Sequence, residues 1–197
     1  MKRRTYLQIG SGIVVIGLLA WGVSRGLERL AGLQPESEDG GTTDAAVPGA
    51  KVARITATLY YGSADGQSLV PVRREVPLAE GLVPQGREII GMQLQAAPSP
   101  YVSVVPEGTL LRAFYVTDRG DAFVDLSSEA SSRHPGGSST ELLTVYAIVN
   151  AVTANLPTIQ RVQILIDGRE ADTLAGHVDL RRPLQQDLSL VREPKVQ

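Results

Sequence analysis

From Thr5 to Ser24 the chain carries no charged side chain, and the run from Leu7 to Val23 is mostly apolar. As a helix, twenty uncharged residues span roughly 30 Å, the thickness of a bilayer core. Tyr6 and Trp21 lie near its two ends, where amphipathic rings favour the membrane interface. Lys2, Arg3 and Arg4 precede the run, and Arg25 and Arg29 follow it. The denser first cluster predicts a single-pass anchor with a cytoplasmic N-terminus and everything after it outside the cytoplasm. A cleaved signal peptide is the rival reading, with Gly22-Val23-Ser24 as its cleavage site. Arg25 directly afterwards is a poor continuation, and the apolar run exceeds the usual signal core. Gly10, Gly12, Gly17 and Gly22 miss strict GxxxG spacing, so they read as ordinary membrane-helix glycines.

Charge divides the rest of the chain. Residues 1–30 sum to +4, residues 31–50 to −4, and residues 51–197 to −2. The acidic part contains Glu36, Glu38, Asp39 and Asp44 among Gly, Pro, Ser and Thr. It has too little apolar surface to offset its ordering entropy, so a disordered linker is expected over 31–50. The near-neutral remainder argues against nucleic acid as a partner.

From Lys51 onward short apolar runs alternate with turn signals. Ile55, Ala57, Leu59 and Tyr61 alternate with Arg54, Thr56, Thr58 and Tyr60, the period of a strand with one buried face. Leu69–Val76 reads as a second strand that Pro71 confines to an edge or a bulge. Pro84 can open a helix whose apolar face is Ile89, Ile90, Met92, Leu94 and Ala97, against the cost of Gly86 and Gly91. Thr109–Val116 and Ala122–Leu126 flank Asp118-Arg119-Gly120-Asp121 and predict a hairpin. Residues 127–137 read as a polar loop. Ser138-Ser139-Thr140-Glu141 then has the form of a capping box, ahead of Leu142, Val145, Tyr146, Val149, Val152 and Leu156 at helical steps. That predicts a helix from about Thr140 to Asn155. Ile159–Ile166 is the strongest strand, Asp167-Gly168 a turn, and the chain after Arg182-Pro183 is expected to fray. The order β-β-α-β-β-α-β, with room for one more short strand, predicts an α+β domain over 51–190. Its helices would pack on one face of a mixed or antiparallel sheet, with a polar tail over 191–197.

Chemistry-bearing residues are sparse. The chain has no cysteine and two histidines, which excludes disulfides, thiol nucleophiles and Cys-based zinc sites. No Gly-x-Ser-x-Gly elbow or phosphate loop is present, and Ser127, Ser128, Ser131 and Ser132 read as loop hydrogen-bonders. No catalytic, cofactor-binding or metal site is assigned. His134 reads as a solvated loop residue. His177 near Asp179 could orient a base, with Asp125 as a further acid, so these three residues define the hydrolase alternative. Asp125 and Asp121 otherwise read as solvent-facing, turn-supporting residues.

Several phrases resemble the GerMN family of sporulation and spore-germination domains. They are Leu59-Tyr60-Tyr61 with Leu69-Val70-Pro71, Val105-Pro106-Glu107-Gly108-Thr109, and Ala122-Phe123-Val124-Asp125-Leu126-Ser127. Next come Gly136-Gly137-Ser138 with Glu141, Val162-Gln163-Ile164-Leu165-Ile166-Asp167-Gly168, and Leu174-Ala175-Gly176-His177-Val178-Asp179-Leu180. The resemblance runs from about Thr56 to Leu190. It implies a small α+β domain outside the cytoplasmic membrane, without known catalysis, similar to ring-building modules of secretion and sporulation complexes. Many members are lipoproteins, and this chain has no cysteine to lipidate. The expected function is a membrane-anchored binding or assembly module that docks onto another envelope protein or onto itself. Tyr60, Arg73, Arg74 and Phe123 are candidate contacts. A cell-wall accessory that touches peptidoglycan or a wall hydrolase is the alternative.

Overall fold

The computed structural model describes residues 53–193, so the expected anchor and acidic linker lie outside the described residues. Among those described, no helix is long and apolar enough to cross a membrane. The fold begins with a hairpin of β1 (Arg54–Gly62) and β2 (Leu69–Pro77), followed by helix α1 (Leu82–Gln93). Strands β3 (Leu111–Val116) and β4 (Asp121–Leu126) form a second hairpin. A short helix α2 (Glu129–Ser132) precedes the long helix α3 (Ser138–Asn155). Strands β5 (Arg161–Ile166) and β6 (Arg169–Glu170) complete the domain.

The strands form two sheets rather than the single one expected. β1 and β2 pair alone, while the second sheet has the order β3-β4-β5-β6. Its pairings are antiparallel, parallel and antiparallel in turn, so the sheet is mixed. A tight turn cannot return a chain for parallel pairing, and α3 supplies the crossover from β4 to β5. The helices touch both sheets: α3 packs on β1 and β5, and α1 packs on α3, β3 and the first hairpin.

One contiguous core joins these layers. Leu59, Val76, Ile89, Phe114, Val124, Leu126, Ile148, Val149 and Ile164 are all 0 to 2% exposed. Ala122, Val124 and Leu126 form the inward face of β4, as their alternation predicts. The glycine that counted against α1 has a packing role. A Cβ at Gly86 would collide with the Phe114 ring, so the glycine lets α1 settle directly on β3. Pro71 sits in an unbroken register opposite Tyr60. Tyr60 turns its amide away from β2, so the absent proline N–H costs nothing in that ladder.

Three further expectations need correction. The capping box does not form: the N-cap is Gly137, with no side-chain cap bond, and Glu141 turns inward instead. The polar loop contains the α2 turn, because Ala130 is an apolar residue with a core position to fill. The segment from Leu184 to Glu193 is not frayed, and residues 194–197 lie outside the described residues. Leu184 bridges Val162, Asn150 exchanges two hydrogen bonds with the Asp187 backbone, and Val191 bridges Leu69.

Candidate functional site: an open sheet edge

Several strand edges of the domain are closed from within. On the far side of β1, the amides of Thr58, Tyr60 and Gly62 point away from β2. Gly62 exchanges bonds with Val102, its N–H donating to the Val102 oxygen at 2.8 Å and its oxygen accepting at 3.0 Å. The Gln93 side chain does the same for Tyr60, with Oε1 accepting at 2.9 Å and Nε2 donating at 2.7 Å. The Asn155 side chain serves Thr58 at 2.8 and 2.7 Å. A primary amide carries a donor and an acceptor side by side, so each behaves as one peptide unit of an added strand. The far side of β2 meets the backbone at 190–192 at Leu69 alone, and among the described residues the outward backbone groups of Arg73 and Glu75 have no partner; the far side of β5 takes β6 and Leu184.

β3 differs. It is the first strand of its sheet, and among the described residues nothing pairs with its other side. The Thr117 N–H donates to the Asp121 oxygen at 2.9 Å, which sets the alternation along the strand. Ala113, Tyr115 and Thr117 therefore direct their backbone groups at β4, while Phe114 and Val116 direct theirs outward. The two most exposed large apolar side chains of the described residues lie on this strand or beside it: Leu110 at 65% and Tyr115 at 56%. A groove of about 540 Å³ runs alongside, lined by Arg87, Glu88, Gly91, Leu94 and Gln95 of α1 and its C-terminal end and by Thr109, Leu110 and Leu111.

The residues singled out from sequence fall elsewhere. Tyr60 is 4% exposed, because the strand is covered on both faces, so it offers no contact surface. Arg73 is exposed, and Arg74 and Phe123 are half-buried. Asp125 does not face solvent. It is 5% exposed, and its Oδ1 accepts from the Gly168 N–H at 2.7 Å. Its Oδ2 accepts from Arg112 Nε at 3.3 Å, and Arg112 also pairs with Asp167 at 3.2 Å. The turn-supporting half of the expectation holds: Asp167 and Gly168 have φ of 49° and 76°, and Asp125 pins that left-handed turn.

The three residues of the hydrolase alternative are engaged separately. Asp125 serves Arg112 and Gly168, His177 serves Glu141, and Asp179 holds Arg181 through Nη2 at 2.7 Å. No hydrogen bond or ion pair joins any two of them. The recess beside Asp179 is lined by Asp179, Arg181 and Arg182. Asp121 forms an exposed two-bond pair with Arg161 across β4 and β5.

Glu141 is the buried group that sequence reasoning placed wrongly. It is 0% exposed, and its carboxylate accepts from the amides of Leu174, Ala175 and His177, each at 2.9 Å. The His177 ring adds Nδ1 at 3.1 Å. Burial opposes the charge, but the Ala175, His177 and Val178 amides and the His177 ring hold its carboxyl below the ordinary range. His134 is half-buried rather than solvated. Its Nδ1 accepts from the Gly136 N–H at 3.0 Å, which leaves Nε2 to carry the proton toward Thr144 Oγ1 at 3.0 Å. Burial is the main cause that lowers its pKa, with His177 adding to the effect and Glu141 opposing it.

The fold and its edges define a small mixed α+β domain whose described residues place their buried ionisable groups in loop fastening. The family model for Germane, sporulation and spore germination, matches residues 58–172, and the chain belongs to that family. The tandem GerMN domains of the sporulation protein GerM from Bacillus subtilis match with a TM-score of 0.51 and 19% identity, covering 69% of this chain. This chain spans only 46% of that structure. The first GerMN domain of the same protein gives a TM-score of 0.49 at 18% identity, over 68% of this chain and 96% of that one. A putative lipoprotein from Clostridium perfringens gives a TM-score of 0.49 at 25% identity, over 68% of this chain and 89% of that one. No curated protein matches the sequence.

Proposed function

We propose that the chain is a membrane-anchored, extracytoplasmic binding and assembly module of the bacterial envelope, acting through protein contacts and not through catalysis. The observation that carries the reading is the open edge of β3, with the exposed Tyr115 on it and the exposed Leu110 beside it. An unpaired strand edge is a template for a further strand, and natural domains keep such edges short or cover them. The charge-free run from Thr5 to Ser24 supplies the anchor, and the acidic segment supplies reach. The separate partners of Asp125, His177 and Asp179 weigh against a hydrolase.

The test is fractionation of bacteria that express the full chain, with protease added to intact spheroplasts. Recovery with membranes and digestion of residues 53–193 from outside is the expected result. Full-length chain in the soluble fraction, or protection from the protease, overturns the reading.

A further inference from the structure

We infer that His134 is an acid-sensitive latch on the turn that opens α3: its protonation frees residues 134–137 while the neighbouring 174–178 loop stays fastened. The inference goes beyond the binding reading above and depends neither on the anchor nor on the β3 edge.

Both ring nitrogens of His134 are committed in the neutral form. Nδ1 accepts from the Gly136 N–H at 3.0 Å. The Thr144 hydroxyl has one proton and directs it to the Val104 oxygen at 2.6 Å, so its own oxygen accepts from Nε2–H at 3.0 Å. A second proton has only Nδ1 to occupy, and there it faces the Gly136 N–H, donor against donor. The turn has little else to hold it. Pro135 has no N–H, and the Gly136 bond to the ring is the one hydrogen bond that an amide of 135–137 donates among the described residues. No side chain caps α3 behind it. Gly136 and Gly137 have φ of 82° and 89°, a conformation that glycine leaves as readily as it adopts.

His177 answers the same proton in the opposite sense. Its Nδ1 donates to the Glu141 carboxylate at 3.1 Å, its ring is 44% exposed, and its Nε2 has no partner among the described residues. A proton added at Nε2 leaves the Glu141 bond in place and adds charge to it. Two adjoining loops thus respond differently to one fall in pH.

The charged surroundings of His134 are few. Glu141 on α3 draws a proton to the ring, while His177 on the 174–178 loop and burial oppose it. Arg133 is turned to the Glu107 oxygen and acts on Glu129 of α2. Asp179 is held by Arg181, and residues 101–106 carry no charge. With a closed turn that admits no second proton, each pH unit below the ordinary histidine value of 6.5 favours the open turn by up to about tenfold. Between about pH 7.5 and pH 5 the limit is about thirtyfold.

The experiment is NMR of the isotope-labelled full chain in detergent micelles, read at the two imidazole rings and at backbone amides. At about pH 7.5, His134 should carry its proton on Nε2 and His177 on Nδ1. On lowering to about pH 5, exchange of the Gly136 amide, corrected for the intrinsic effect of pH, should rise by about threefold to thirtyfold. The Leu174 and Ala175 amides should keep their protection, since Glu141 still holds them. His134→Asn places an oxygen near the Nδ1 position that accepts from Gly136 and cannot gain a proton, so it should remove the acid response. His177→Gln should leave that response at Gly136 intact.

A His134 proton on Nδ1 at about pH 7.5, or a rise at Gly136 below about threefold, overturns the inference, and both are read on the unmutated chain. An equal rise at Leu174 and Ala175 overturns it by showing general unfolding, and so does an acid response that survives His134→Asn. Fractionation is untouched by any of these results, because the chain can sit in the membrane with or without the latch.

Discussion

β1 and β3 are both outer strands, yet they are finished in opposite ways. The far side of β1 is closed by a peptide bridge at Val102 and by two side-chain amides, Gln93 from α1 and Asn155 from α3. These closures fall at Gly62, Tyr60 and Thr58, the two-residue step of a strand. The far side of β3 has an exposed tyrosine and a groove, and no described partner. A sheet edge can thus be sealed without another strand, provided helices bring amides to the correct spacing. Where no helix does so, the edge stays available.

The contrast breaks most strongly where the closure is buried. The 174–178 loop is fastened by Glu141, whose carboxylate receives three amides and a ring nitrogen. Glu141→Ala leaves those donors without an acceptor, and we expect a loss of about 3 to 5 kcal/mol by urea unfolding. Glu141→Gln should be nearly as harmful, because its NH₂ would face N–H groups.

Next in size is Gln93→Leu, which strands both the N–H and the oxygen of Tyr60 in the core. A loss of about 2 to 4 kcal/mol is expected from denaturation midpoints. A loss below about 0.5 kcal/mol would mean that the amide does not close the edge.

Acid tests the same fasteners without mutation. His134 has a lowered folded-state pKa, so its contribution is complete above its ordinary value of 6.5 and fades as pH falls below that. Glu141 also has a lowered folded-state value, so its contribution is complete above 4.5 and is lost as pH falls through the folded value. Stability followed by urea unfolding should decline in two stages on acidification. Glu141→Gln should shrink the lower stage, to which Asp65, Glu129 and Asp179 also contribute, and leave the upper one.

Asn155→Ala should cost about 1 kcal/mol by the same urea measurement, because Thr58 is half-buried and water can replace the lost amide. The smallest effect on stability belongs to the open edge. Tyr115→Lys should change the unfolding free energy by less than about 0.5 kcal/mol, since the ring is exposed in the single chain.

Much of the fold was legible in local pattern. The period-two alternation at Ile55–Tyr61 and Ala122–Leu126 marks the strands, and the three- and four-residue steps behind Glu141 mark α3. Asp118–Asp121 and Asp167-Gly168 mark turns because few residues tolerate that geometry. The candidate surface was not legible. Tyr115 and Leu110 read as ordinary members of a strand, since exposure depends on whether a neighbour arrives from elsewhere in the chain. Tyr60 was misjudged for the same reason: alternation assumes one solvent face, and here helices meet the second. Gln93, Asn155 and Asn150 carried no signal as polar residues on helices, because their partners lie 33, 97 and 37 residues away.

The sequence by itself determined the division of charge, the absence of thiol chemistry, the identity of the main elements and the family to which they belong. Those properties depend on composition and on spacing within one element. Only the tertiary structure decided that the strands form two sheets, that Glu141 fastens a loop instead of capping its helix, and that β3 keeps an open edge. Each of these follows from which distant segments meet, and a buried hydrogen-bonding group takes whatever partner packing brings to it.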